Sequence, residues 1–392
     1  MNNATVRYGF IGCGMMGQEH LRNLALIDGT QVVALFEPDA AMKAQSASLA
    51  PQAQWCDTLD SLLARNDIDA WVITSPNHYH AAQLAHIARV NPQPILVEKP
   101  ACTDLAGVAV LRALAASYPA PIWTAMEYRY MPPITKMIQE THRQHYTGKV
   151  VMLSIREHRY PFLTKVGDWN RFTRNTGGTL VEKCCHFFDL MRHMMQADPV
   201  RVFGSGGQNY NHLAESYAGE APDILDNAFV VLDFPEGRRA MLDLCMFAEG
   251  ARYQEEICAV GPSGKLECKI PGPGRFWPAE LGDAPVAQMI VSQRHITGPE
   301  GWTNSPRIQA QAPQSIDIPV DPALLAAGDH NGSTFYQHQK FFDMVRAFKT
   351  GQQIKPEVTL TDGIQAVLIG LAAQHAIQTG QSVSLVEGDY AL

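Results

Sequence analysis

Residues Val6–Gly17 read VRYGFIGCGMMG, and the fold follows from this stretch. Six mostly apolar residues form a short strand that runs into a tight turn. Gly12, Gly14 and Gly17 give the G-x-G-x-x-G spacing, and the residues that follow, QEHLRNLALI, have helical periodicity. Each glycine has its own physical reason. Gly12 allows the sharp turn, Gly14 allows close approach of backbone N–H groups to a pyrophosphate, and Gly17 allows helix–strand packing. The helix start then favours phosphate charge, with Met15 and Met16 in its first turn. An acid at Glu37, at the end of the next strand, suits the ribose hydroxyls and repels a 2′-phosphate, which favours NAD over NADP.

Working outward, apolar runs and helical patterns alternate over the first 125 or so residues. The pattern predicts strands at Val6–Ile11, Gln31–Phe36, Ala70–Thr74, Ile95–Val97 and Ile122–Ala125, with helices between them. That alternation implies α/β class, a doubly wound parallel Rossmann sheet whose ligands lie beyond the carboxyl ends of its strands. Ser75 and Asn77, and Glu98 with Lys99, fall at such ends. Past Arg129 longer alternating stretches surround a helix expected over Gly178–Met195. They predict an α+β half with a large, mostly antiparallel open sheet. The expected division is 1–128 for the nucleotide and 129–392 for substrate and oligomerisation, with the final segments packing back on the first half. Pro271–Asp321, rich in Pro and Gly, reads as a surface excursion.

The 392 residues carry a formal net charge of -8, with 46% hydrophobic and 18% charged residues. This is ordinary globular composition. It speaks against nucleic acid or an anionic membrane as partner. No apolar run reaches the roughly 20 residues of a membrane span. The first strand begins six residues from Met1, so no secretory leader is expected, and eight cysteines without a C-x-x-C pair read as reduced thiols in the cytoplasm.

Two further stretches hold chemistry. In PILVEKPAC, Lys99 projects from a strand end, where an ammonium can polarise a hydroxyl. In GGTLVEKCCHFFD, helical spacing sets Glu182, His186, Asp189 and His193 on one face, as acid/base groups, a polar face or, least favoured, metal ligands. Before that helix stand Arg156, His158, Arg159, Lys165, Arg171 and Arg174, with Tyr160, Trp169 and Phe172 among them. Together they suit an anionic or polyhydroxylated ligand.

In this order and separation, the glycine turn, E-K-P and the G-G-x-L-x-acid-x-x-x-His-x-x-Asp run resemble the Gfo/Idh/MocA family. Thr74-Ser75-Pro76-Asn77 with His80, and Tyr128-Arg129-Tyr130-Met131-Pro132, add to the resemblance, which spans nearly the whole chain. It implies NAD-linked oxidation or reduction of sugars, sugar acids and polyols by dimers or tetramers that meet through the C-terminal sheet. It implies Lys99, His186 and Glu182 as catalytic groups, with Glu182 standing where many relatives have Asp, as partner to His186 or substrate contact. Cofactor contacts follow at Gly12, Gly14, Met15, Met16, Gly17, Glu37, Ser75, Asn77, His80, Glu98 and Lys99. Substrate contacts follow at Lys99, Tyr128, Arg156, His158, Arg159, Trp169, Arg171, Lys183 and His186. No metal is expected. Two other activities fit the same fold: an oxidoreductive glycosidase acting on an anionic sugar through a transient ketone, and a non-catalytic NAD-binding regulator.

Overall fold

A computed structural model describes residues 5–297, 307–310 and 312–392. The first sheet forms from buried apolar strands joined by helices, in the order β1 (Val6–Ile11), α1 (Met15–Leu24), β2 (Thr30–Phe36), α2 (Ala40–Ser46), β3 (Gln54–Trp55), α3 (Leu59–Leu63), β4 (Ala70–Ile73), α4 (His80–Val90), β5 (Ile95–Val97), α5 (Leu105–Ser117) and β6 (Ile122–Thr124). Its six strands run β3-β2-β1-β4-β5-β6, all parallel. The order reverses between β1 and β4, and a crevice opens there beyond the strand ends. β3 is only two residues long, too short for a hydrophobic pattern, and the sequence does not announce it.

The chain continues through α6 (Pro132–Arg143), β7 (Met152–His158) and the short helices α7 (Thr173–Thr176) and α8 (Thr179–Glu182). Next come α9 (Cys185–Met195), β8 (Arg201–Gly207), β9 (Asn227–Asp233), β10 (Arg239–Cys245), β11 (Glu255–Gly261), β12 (Gly264–Ile270) and β13 (Gln288–Thr297). The last elements are β14 (Arg307–Ala310), β15 (Gln314–Asp317), α10 (Pro322–Ala327), α11 (Ser333–Lys349), α12 (Leu360–Thr379) and β16 (Val383–Ser384). Strands β7–β16 make a ten-stranded sheet, antiparallel except for the β7–β10 pair. Along β7 the burial alternates: Leu153, Ile155 and Glu157 face the helices, and Met152, Ser154, Arg156 and His158 face outward.

Two expectations are corrected here. Pro271–Asp321 is not merely an excursion. Met289 and Val291 are buried in alternation with Gln288, Ile290 and Ser292, so β13 and β15 extend the sheet. Residues 298–306 and 311 of that stretch lie outside the described residues. Nor is Gly178–Met195 one helix. The Cys184 N–H reaches back five residues to the Thr179 carbonyl at 3.4 Å. This widened turn separates α8 from α9.

The last helices join the two sheets. Phe341, Met344 and Val345 of α11 cover one face of the first sheet. α12 is apolar nearly all round. Ile364, Val367 and Leu368 pack on the first sheet, and Ile369, Ala372 and Ala373 on the second. A polar clamp adds to this. His330 Nδ1 bonds Glu19 of α1 at 2.7 Å, and its Nε2 lies 3.7 Å from Glu127. Thr334 Oγ1 stands between the two carboxylates, 2.9 Å from Glu19 and 2.8 Å from Glu127. Burial alone would lower the His330 pKa, but Glu127 and Glu19 outweigh it and hold the imidazolium up to about 9. Burial would raise Glu19, and the His330 charge and hydrogen bonds bring it down to about 2. A raised cation contributes fully below its ordinary pKa of 6.5 and loses that contribution as pH climbs through about 9. The depressed Glu19 contributes above 4.5 and loses it toward pH 2. We expect Glu19→Gln to lower unfolding free energy by about 3–5 kcal/mol. It should also flatten the decline in stability between pH 6.5 and 9. Urea unfolding at a series of pH values reads both.

Candidate active site

The crevice at the switch point is a cleft of about 650 Å³. Its floor is the glycine turn. Gly12 has φ +93°, and a Cβ there would sit 2.6 Å from the Ser75 nitrogen. A Cβ on Gly17 would meet the Gly12 carbonyl at 2.7 Å, so Gly17 serves helix–strand contact and does not line the cleft. Gly14 is different: nothing lies within 4 Å of where its Cβ would be. It caps α1 without any side-chain hydrogen bond to the helix start, so the first-turn N–H groups stay available to an anion. Met15 and Met16 line the cleft beside it.

Glu37 lines the same end. Its carboxylate accepts from Cys13 N at 2.6 Å and from Asp39 N at 2.9 Å. Two backbone bonds fix it and leave acceptor capacity for hydroxyls. Ser75 and Asn77 line the middle, and Asn77 Nδ2 is buried with no partner among the described residues. His80 is not there. It is fully buried, with Nδ1 2.7 Å from the Pro100 carbonyl and Nε2 2.8 Å from the Ser75 carbonyl. The ring sits between the ends of β4 and β5, donates to one of these two carbonyls as a neutral imidazole, and does not line the cleft, so the expectation of a cofactor contact is corrected. Burial pushes its pKa down.

Glu98, Lys99 and Glu182 line the far end, with Lys165 and Trp169 from the segment after β7. Glu98 is held by His20 at 2.8 Å, and His20 meets His338 at 2.7 Å. Lys99 Nζ donates to the Glu182 carbonyl at 3.0 Å. Burial works against its charge, but Cys185, Glu98 and Glu182 outweigh burial and hold its pKa above the ordinary lysine value.

His186 lies buried next to this end, its ring stacked on Tyr128 at 4.1 Å and 8°. Its Nδ1 has no partner among the described residues. Burial, then the charges of Lys99, Lys183, His330 and Arg159, push its pKa well below 6.5, so the ring is neutral. The expected pairing of Glu182 with His186 is not made. The widened turn at Cys184 breaks the one-face register, and the Glu182 carboxylate points to Lys165, 3.5 Å away.

Beneath Tyr128, the expected substrate residues Arg159 and Lys183 are instead drawn into a network with two carboxylates, Glu157 and Glu255, that sequence reasoning missed. Glu157 and Glu255 stand opposite each other on the inner sheet face. Lys183 donates to the Tyr128 hydroxyl at 2.5 Å and pairs with Glu157 at 2.9 Å, and Arg159 meets Glu157 at 3.2 Å. Burial and Glu157 raise the Glu255 carboxyl to about 7. The expected arginine-lined substrate pocket does not form. Arg156 and His158 project from the outer sheet face to Glu256 and Asp243. Arg171 is buried against Glu215 at 2.9 Å, and Arg174 pairs with Glu220. The alternation of Leu153 and Ile155 could have told which way Arg156 and His158 point.

A six-stranded parallel sheet, an uncapped helix start behind a glycine turn, and ionisable groups across the cleft define a two-part dinucleotide enzyme architecture. Residues 6–125 match the profile described as oxidoreductase family, NAD-binding Rossmann fold, and residues 143–385 match its C-terminal alpha/beta domain. The chain belongs to the Gfo/Idh/MocA oxidoreductase family and carries its NAD-binding Rossmann domain. It is 24% identical over 385 residues to a myo-inositol 2-dehydrogenase of Thermotoga maritima, covering 97% of this chain and 99% of that one. It is 27% identical over 243 residues to an inositol 2-dehydrogenase of Rhizobium meliloti, covering 61% and 68%. The WlbA dehydrogenase of Bordetella pertussis, solved with NADH and UDP-GlcNAcA, superimposes with TM-score 0.72 at 15% identity over 99% of this chain and 100% of that one. Among the described residues no helix is long and apolar enough to cross a membrane.

The residues present fit the dinucleotide: a free helix start, the open space over Gly14, and the unpartnered Asn77 amide all belong to residues that line the cleft. We expect Gly12→Ala, strained in backbone and clashing with Ser75, to weaken NAD binding at least roughly tenfold, since misplacing the turn removes charge-assisted hydrogen bonds. Quenching of intrinsic fluorescence on titration with NAD measures it.

Proposed function

We propose that the protein is an NAD-dependent dehydrogenase. It moves a hydride between the nicotinamide and a hydroxyl of a sugar, sugar acid or inositol-like polyol. The observation that carries this reading is Lys99 in the cleft wall, with its charge acting on a His186 that is buried behind the lining and kept neutral by burial first. In this reading residues 1–128 bind the nucleotide and 129–392 the substrate. Gly14, Met15, Met16, Glu37, Ser75 and Asn77 hold the cofactor, and Glu37 disfavours a 2′-phosphate. NAD, when bound, supplies the hydride acceptor. Neutral His186 takes the hydroxyl proton, and the Lys99 ammonium stabilises the charge that develops on the oxygen. Tyr128 fixes the His186 ring by stacking, and Lys183 fixes Tyr128. The anionic-glycoside reading rested on Arg156–Arg174, where Arg156, His158, Arg159, Arg171 and Arg174 are engaged with Glu256, Asp243, Glu157, Glu215 and Glu220. We further propose that copies pair through the outer face of the large sheet, where Met152, Phe203, Phe229 and Met241 stand exposed.

With NAD and a panel of sugars, sugar acids and inositols, formation of NADH tests the reading directly. His186→Ala should lower kcat by about 10²–10⁴-fold while NAD affinity stays at the wild-type value. Because the base is neutral above its depressed pKa, the acid limb of kcat/KM should fall below pH 6.5. Wild-type turnover in His186→Ala, or an acid limb above that pH, removes His186 from the chemistry.

A further inference from the structure

Three charged side chains from three parts of the chain converge at the far end of the cleft. Lys99 follows β5, Glu182 ends α8, and Lys165 lies between β7 and α7. Lys165 Nζ stands 4.7 Å from the centre of the Trp169 ring and 3.5 Å from Glu182 Oε1. That contact is long for a hydrogen bond, so Lys165 has N–H groups to give. Glu182 is only 3% exposed, and its Oε2 is buried with no hydrogen-bond partner among the described residues. A carboxylate oxygen left without a donor is costly, and this one belongs to a side chain that lines the cleft.

One ligand group satisfies both. A hydroxyl donates its proton to Glu182 Oε2 and accepts from Lys165 Nζ. A carboxylate or phosphate would suit Lys165 but meet Glu182 as a like charge, and a methylene would serve neither. We propose that Lys165 and Glu182 together read a neutral hydroxyl on the carbon next to the reacting one, and that Lys165 is a specificity-determining residue of this chain. The inference rests on the dehydrogenase reading for which hydroxyl reacts, and it adds the demand for an adjacent one. The order of contacts supports adjacency: Lys99 bonds the carbonyl of the same Glu182 whose carboxylate faces Lys165.

The test is binding to the NADH-loaded protein, which cannot turn over an alcohol. Myo-inositol, scyllo-inositol, D-glucose and their monodeoxy forms are titrated calorimetrically into wild type, Lys165→Met and Glu182→Gln. Wild type should bind at least one parent polyol, and loss of one particular hydroxyl should weaken it roughly tenfold to a hundredfold. Lys165→Met should weaken the parent by a similar factor and no longer distinguish it from that deoxy form, so the double-mutant cycle shows coupling. Glu182→Gln should lose the same discrimination, and Lys165→Arg should retain part of it. The proposal is overturned if no polyol binds wild type, if Lys165→Met keeps the discrimination, or if its loss falls on NADH affinity instead. A polyol bound with this pattern but never yielding NADH from NAD contradicts the dehydrogenase reading alone. Hydride transfer without coupling contradicts the hydroxyl-reading pair alone.

Discussion

The structure depends on one close approach of backbone to backbone. Helix α1 begins so near the end of β1 that a single Cβ on Gly17 would press on the Gly12 carbonyl, while Thr74 donates to that same carbonyl at 2.6 Å. This contact fixes β1, α1 and β4 as one unit and leaves the helix start bare. A bare helix start is an anion site by electrostatics alone, because its first N–H groups have no partner and the helix dipole adds to them. Everything else in the cleft is arranged along the line that starts there, with Glu37 to one side and Lys99 at the far end.

The other organising feature is charge held out of water. Glu19, Glu127 and His330 form one buried group, and Glu157, Glu255, Lys183 and Arg159 form another. Such pairs cost desolvation and rarely add net stability. Here they do a second thing: after burial, the charges of Lys183, His330 and Arg159 help keep His186 neutral. In the first group, carboxylates engage or approach both His330 ring nitrogens, as expected of a trapped imidazolium. α1 and the segment before α11 are thereby tied together at the edge of the site.

The first sheet was legible because its strands are short, continuously apolar runs between helical patterns, and buried parallel strands read that way. Its site residues were legible for the same reason, since they sit at strand ends. The second half was less so. β12 alternates Leu266, Cys268 and Ile270 with charged residues, whereas β13 sets apolar Ile290 between the buried Met289 and Val291, and both lie in a Pro- and Gly-rich neighbourhood that hides the period. Glu182 and His186 have helical spacing in the sequence, and no residue type marks the widened turn that separates them. Arg156 and His158 were misplaced because charge was read without the strand's alternation. Lys165 stands in no regular element, so only the folded chain brings it to Glu182.

The central claim is that the glycine turn and Lys99 mark the two ends of a single dinucleotide site. A crystal structure of the protein grown with NAD measures it most directly. The account predicts the pyrophosphate against Gly14 and the first turn of α1, and nicotinamide C4 on the side of Lys99 and His186, close enough for a substrate carbon about 3–3.5 Å away. A dinucleotide bound with its nicotinamide beside Glu37, or lying outside the cleft, would contradict it.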